Sequence, residues 1–162
     1  MKAKLVRKMI DCSAGNTADI AHFLKVLAYA ETIGALEHLD AETQLTLELA
    51  AVVHDIACPF CREKYGHCGG KEQEIESEAL LRPFLAEFEL PQAMLERIIH
   101  LVTHHHTVTD VDGIDYRILL EADFLVNAAE MQLRRDAVEA ARKRFFRTES
   151  GTRLLDSIFL RA

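Results

Sequence analysis

At 162 residues, 49% of them apolar, the chain is long enough to bury one hydrophobic core and too short to be expected to hold two. It has no Trp, only 3 Pro and 7 Gly, and is dominated by strong helix formers, which favours an all-α fold over a sheet. A formal net charge of -7 excludes general nucleic-acid binding, and no apolar run is long enough for a membrane span or a secretory leader, so the chain reads as soluble and cytoplasmic.

Met1 to Ile10 is basic. From Thr17 to Ile33 the residues Ile20, Phe23, Leu24, Leu27, Ala30 and Ile33 recur at helical spacing, with Asn16 or Thr17 as cap and Gly34 as stop. A second helix follows Asp40 and runs through Leu45, Leu49, Val52 and Val53 into His54 and Asp55, almost wholly apolar at its end. Cys58 to Gly70, with Pro59 and three Gly among Cys, His and charged residues, reads as a loop. Helices are expected again over Lys71–Glu87, with Pro83 as a kink, and over Pro91–His104, with Pro91 in the first helical position. Asp112-Gly113 marks a turn. Helices over Ile114–Glu130, Arg134–Phe146 and Thr152–Leu160 complete the chain, and the apolar tail from Phe145 to Leu160 either closes the core or pairs two copies as a homodimer.

Three of these helices place metal-ligand side chains where the pattern asks for core residues. His22 shares a face with Val26, Tyr29 and Ile33. His54 and Asp55 end the buried run Leu49–Val53. Asp123 stands on the apolar stripe of Ile118–Ala129, whereas Glu121 fits the exposed strip. Each has a structural alternative: a core histidine for His22, helix termination for His54-Asp55, an ion pair with Arg117 or Arg134 for Asp123. Together, two imidazoles and two carboxylates from three helices make a mixed nitrogen and oxygen donor set suited to a divalent metal such as Mn, Fe, Zn, Co, Ni or Mg. The run His104-His105-His106 lies at the end of another apolar face and adds to the set.

His22 with Lys25-Val26 behind it, then His54-Asp55, His104-His105 and Ala122-Asp123, in that order, resembles the HD-domain phosphohydrolase superfamily. The resemblance covers about Thr17 to Ala129. It implies a single HD domain over 1–162, with about five core helices within about 17–130 and a C-terminal helical extension, 131–162, and it implies that His22, His54, Asp55 and Asp123 hold the metal. The stretches KYGHCGGKEQE, HHHTVTDVDGIDY, EADFLVNA and FFRTESGTRLL are similar to a group of small bacterial HD proteins, which implies a reaction class rather than a substrate. There are two departures from the family's patterns. Where two-metal members carry an extra His, this chain has Gln73, so a second metal would rely on His104 and His105 with Glu74 or Glu76. Where mononuclear nucleotidases carry an acid/base Glu, it has Cys58.

The activity implied is metal-dependent hydrolysis of a phosphate ester, a nucleotide or small phosphorylated metabolite, by in-line attack of water on phosphorus. Lys25, Lys71, His104 and His105 are the candidates to meet charge on the phosphoryl oxygens, and His106 or Glu74 to protonate the leaving group. The rival readings are a non-catalytic HD sensor that binds metal and nucleotide, and a zinc module built from Cys58, Cys61, His67 and Cys68. The spacing of the last is poor, and the four Cys of the chain are expected to be thiols or metal ligands rather than a disulfide framework.

Overall fold

The segment Ala41–Val53, apolar all round over its last five residues, is the helix on which the others pack. In the computed structural model, which describes residues 1–161, it is α3, flanked by α1 (Lys2–Cys12), α2 (Thr17–Leu36), α6 (Gln92–Thr103) and α7 (Ile114–Glu130). Leu47, Leu49, Ala50, Ala51, Val52 and Val53 on α3 are all buried. α2 packs against both α3 and α7, and α5 (Gly70–Leu85) packs on α6, with α4 (Cys58–Tyr65) resting on α5. α8 (Arg135–Phe145), α9 (Glu149–Leu155) and a final π turn (Asp156–Leu160) follow. All regular structure among the described residues is helical, and no helix there is long and apolar enough to cross a membrane.

Local chemistry sets the helix starts. Asn16 accepts bonds from the backbone N–H groups of Ala18 and Asp19, Asp40 from those of Glu42 and Thr43, and Thr148 from Gly151, so each satisfies donors that the first turn leaves open. The stop expected at Gly34 lies elsewhere. α2 runs on to Leu36, and the left-handed residue that ends it is His38, with Leu39 N–H closing back onto the Gly34 carbonyl. Gly34 instead lies inside α2, facing α3, where a Cβ would meet the terminal amide of Gln44.

The expected loop from Cys58 to Gly70 is also corrected. Its first eight residues form α4, with Pro59 in the first turn, where its missing N–H costs nothing, and with Gly66 at φ 78 closing the end. Cys58 and Cys68 form a disulfide, contrary to the expectation of thiols, while Cys12 and Cys61 are free. Pro91 is the cap of α6 rather than its first residue.

The C-terminal segment folds back over the bundle, α9 against α7 and α2. Phe145, Phe146 and Leu155 are buried, and Phe124 of α7 meets Phe145 and Phe146 edge to face. Glu121 is fully buried, not on an exposed strip. Its carboxylate accepts bonds from the backbone N–H groups of Arg147 and Thr148 and from the Thr148 hydroxyl, and so ties α7 to the start of α9.

Candidate metal centre

α2, α3 and α7 each turn one ligand-bearing face to a common point. The His22 Nε2 atom lies 3.2 Å from His54 Nε2, 3.2 Å from Asp123 Oδ1 and 3.4 Å from Asp55 Oδ2. His54 Nε2 is 3.5 Å from Asp55 Oδ2 and 3.6 Å from Asp123 Oδ1. Donor atoms held ~2.0 to 2.2 Å from a single ion take up separations of this size, so the residues fit a metal. The set His22, His54 and Asp123 is a group able to hold an ion, and so is His54, Asp55 and His105.

The histidine tautomers point the same way. His54 Nδ1 bonds to the Ala51 carbonyl at 2.8 Å and His105 Nδ1 to the Val102 carbonyl at 2.7 Å. A carbonyl only accepts, so each Nδ1 carries the proton and each Nε2 keeps its lone pair toward the cluster. His22 Nδ1 faces Glu130 Oε2 at 2.9 Å, with the same consequence. The buried Nε2 of His105 has no hydrogen-bond partner among the described residues and lies 3.5 Å from Asp55 Oδ1, as befits a lone pair awaiting a cation. Asn127, one turn beyond Asp123, donates to its Oδ1 at 2.9 Å. Among the described residues no arginine neutralises Asp123: Arg117 bonds the Phe145 carbonyl and Arg134 faces Asp136.

In the metal-free protein a proton takes the place of the cation. Burial opposes charge on His22, yet the Asp123 and Glu130 carboxylates bonded to it, with the Asp55 charge beside it, push its pKa up to about 9. Asp55 and Asp123 are held well below the usual carboxylate range. Burial works against both, but the imidazoles of His54 and His105 at Asp55, and of His22 and His54 at Asp123, prevail. A histidine raised in the fold stabilises fully below its ordinary 6.5 and ceases to do so as pH rises through about 9. The two aspartates stabilise above their ordinary 3.8 and lose that contribution as pH falls. In chelator, the melting temperature followed by circular dichroism should therefore decline between pH 6.5 and about 9, and His22→Gln should remove that decline.

A cavity of about 260 Å³ opens beside the cluster, lined by His22, Asp55, Asp123, Asn127 and Glu130 on one side and by Cys58, Cys68, Gly70, Gln73 and His106 on another. The segment after the His54-Asp55 pair thus borders the site, as its point of departure suggested. The remaining expected residues divide. His105 joins the cluster, but His104 does not: its Nδ1 bonds the His100 carbonyl, and its ring lies 4.4 Å from that of His100, because position 104 is a helical turn beyond His100 and shares its side of the helix. Glu74 accepts bonds from His106 N–H and the Thr107 hydroxyl, so it secures the turn after α6 rather than facing the ligands. Glu76 is bonded to Lys64 and Tyr65. Lys25 is paired with Glu130 at 3.0 Å, one step removed from His22, and Lys71 is exposed outside the cavity lining. His106 lies against His105, and partial burial of its ring together with the His105 charge holds it below the usual imidazole range, so it is neutral near pH 7. Sequence reasoning missed Asn127 and Glu130; their spacing of four and seven residues after Asp123 puts them on its face of α7 and was the available signal.

Residues 19–141, well over half of the chain, match the family model described as HD domain. No curated protein and no solved structure matches the chain.

Proposed function

The chain belongs to the HD-domain family, and from that premise we propose that it is a cytoplasmic metal-dependent phosphohydrolase acting on a small phosphate ester, either a nucleotide or another small phosphorylated metabolite. The observation that carries this reading is that three imidazoles, each with Nδ1 committed to an oxygen acceptor, and two buried or half-buried carboxylates form two overlapping donor groups that share His54. His22, His54, Asp55 and Asp123 hold the ion, with His105 beside them; of the further residues a second ion would need, only His105 faces the cluster. When bound, a divalent metal lowers the pKa of water toward ~7 and draws electron density from a phosphoryl oxygen. The protein's own part is to fix the donors: Glu130 orients His22, Ala51 and Val102 orient His54 and His105, and Asn127 orients Asp123.

The cavity supports a small substrate, since its volume of about 260 Å³ lies at the lower edge of ligand pockets, roughly 300 to 1,000 Å³. Its lining carries Asp19, Asp55, Asp123 and Glu130, so an anionic ester has little reason to enter without a cation in place. Of the two groups considered for proton transfer, Glu74 is engaged, which leaves His106 at the cavity wall, neutral near pH 7 and so placed to accept a proton.

A second reading, a sensor that binds metal and nucleotide without turnover, is favoured by the absence of an acid/base Glu at position 58, where a disulfide-bonded Cys stands instead. The two are separated by incubating metal-replete protein with a panel of nucleotides and small phosphate esters under multiple-turnover conditions. Phosphate release beyond one equivalent, abolished by chelator and by His54→Ala, is the result expected. Saturable binding of a nucleotide with no release from any ester would support the sensor.

A further inference from the structure

One residue lining the cavity keeps a buried amide oxygen without a hydrogen-bond partner among the described residues. Gln73, in the first turns of α5, is only 4% exposed, lines the cavity beside the ligand cluster, and its Oε1 has no hydrogen-bond partner among the described residues. Its backbone is fixed: its N–H bonds the Gly69 carbonyl and its own carbonyl accepts from the buried Ser77 hydroxyl. A buried amide acceptor left unpaired is costly, and native proteins keep such groups chiefly where a ligand or water completes them. An amide offers one acceptor and two donors, and a hydroxyl, which both donates and accepts, is the group that complements it whichever way the amide is turned.

The charge around Gln73 restricts what carries that hydroxyl. Asp19, Asp55, Asp123 and Glu130 all line the cavity, while no Lys or Arg does among the described residues. The nearby cations are already committed, Arg62 to Asp19 and Lys25 to Glu130. A divalent ion offsets two of those carboxylates and meets one phosphoryl group. A second phosphate or a carboxylate on the same ligand would find no uncommitted cation in the cavity lining to pair with.

Resting on the phosphohydrolase reading, we infer that Gln73 is a specificity-determining residue that reads a hydroxyl of the substrate, and that the substrate is the phosphate monoester of a small polyhydroxylated molecule otherwise free of charge. A site that must hydrogen-bond a hydroxyl rejects an analogue lacking it far more strongly than an apolar site rejects the reverse, because the buried amide is then stranded.

The test uses the Mn-loaded protein and calorimetric titration with inorganic phosphate, ribose 5-phosphate, n-pentyl phosphate and ribose 1,5-bisphosphate. The wild type should bind ribose 5-phosphate about tenfold more tightly than n-pentyl phosphate, the effect of one well-made hydrogen bond to a buried group, and should bind the bisphosphate no more tightly than the monoester. Gln73→Leu, which removes the amide at similar size and so relieves an unpaired group, should reduce the preference to about twofold or less, with Mn and inorganic phosphate affinities unchanged. Gln73→Met serves as a second apolar replacement with a more adaptable shape. Survival of the preference in both variants, a matching loss of inorganic phosphate or Mn affinity, or tighter binding of the bisphosphate would overturn the inference. Absence of any metal-dependent phosphate binding in the wild type would instead overturn the phosphohydrolase reading beneath it.

Discussion

Asp123→Ala is expected to lose its metal and, with it, phosphatase activity, while the metal-free protein still folds. The carboxylate contributes a donor atom and one of the two negative charges that offset a divalent ion, and its Oδ1 lies within 3.6 Å of both His22 and His54. Metal affinity should fall about 100-fold or more, at or beyond the upper end of what loss of a partner supporting a ligand costs, and elemental analysis after identical treatment should find the variant depleted of metal relative to wild type. An arginine partner would have made the same change cost ~3 to 5 kcal/mol with or without metal, by stranding a buried cation. Here the metal-free partners are the imidazoles of His22 and His54, neither a fixed cation, and the neutral Asn127. Relief of carboxylate repulsion does not govern the metal-free protein either, because the imidazoles already hold Asp123 ionised. The chelated variant should therefore lose no more than ~1 to 2 kcal/mol in urea unfolding, the scale of a hydrogen bond to a charged group partly repaid by removing the charge from its buried site. A loss of ~4 kcal/mol in chelator with metal content unchanged would refute the assignment.

Glu121→Ala should produce the opposite pattern, a large loss of stability with the site's chemistry intact in whatever fraction remains folded. The side chain is fully buried and receives the Arg147 N–H at 2.6 Å, the Thr148 N–H at 3.0 Å and the Thr148 hydroxyl. Truncation leaves two backbone donors unpaired and a void beneath Gly151, together about 3 to 4 kcal/mol. Burial raises the pKa of Glu121 against the pull of those bonds, so the ionised form is already held at a cost. Glu121→Gln keeps an oxygen for the two backbone donors and drops the charge, and should change stability by less than about 1 kcal/mol. Equal losses for the two substitutions would show that charge, not the acceptor, is what α9 requires.

What the sequence made legible was whatever depended on periodicity. His22, Asp55 and Asp123 each interrupt or end an apolar helical face, and the faces could be drawn because α2, α3 and α7 are long enough for the 3.6-residue repeat to show. What stayed hidden depended on contacts between distant segments. Gly34 has the local look of a helix stop, and only the contact of α2 with α3, where it faces the end of the Gln44 side chain, shows that the helix runs through it. α4 has eight residues, too few for periodicity, and its Pro and Gly were weighed as loop formers although each also fits a helix end. Glu121 reads as surface because its three donors come from residues 26 and 27 positions later. Among three successive histidines, composition suggested a shared role, but a helix end turns neighbours in different directions, so His105 faces the ligands and His104 faces His100.

The second half of α3, Leu49 to Val53, has no solvent face, and this gives the ligand pair at its end a property that the donor set alone would not have. A helix enclosed by α1, α2, α6 and α7 cannot roll or slide without opening packed apolar contacts on every side, so His54 and Asp55 inherit the rigidity of the core. The cost of arranging the donors is met when the chain folds, and little ordering remains for an incoming ion to impose. Such a centre is selective by shape: it suits ions content with few donors at short, fixed distances, and it disfavours large cations that need six to eight oxygens and a yielding cage.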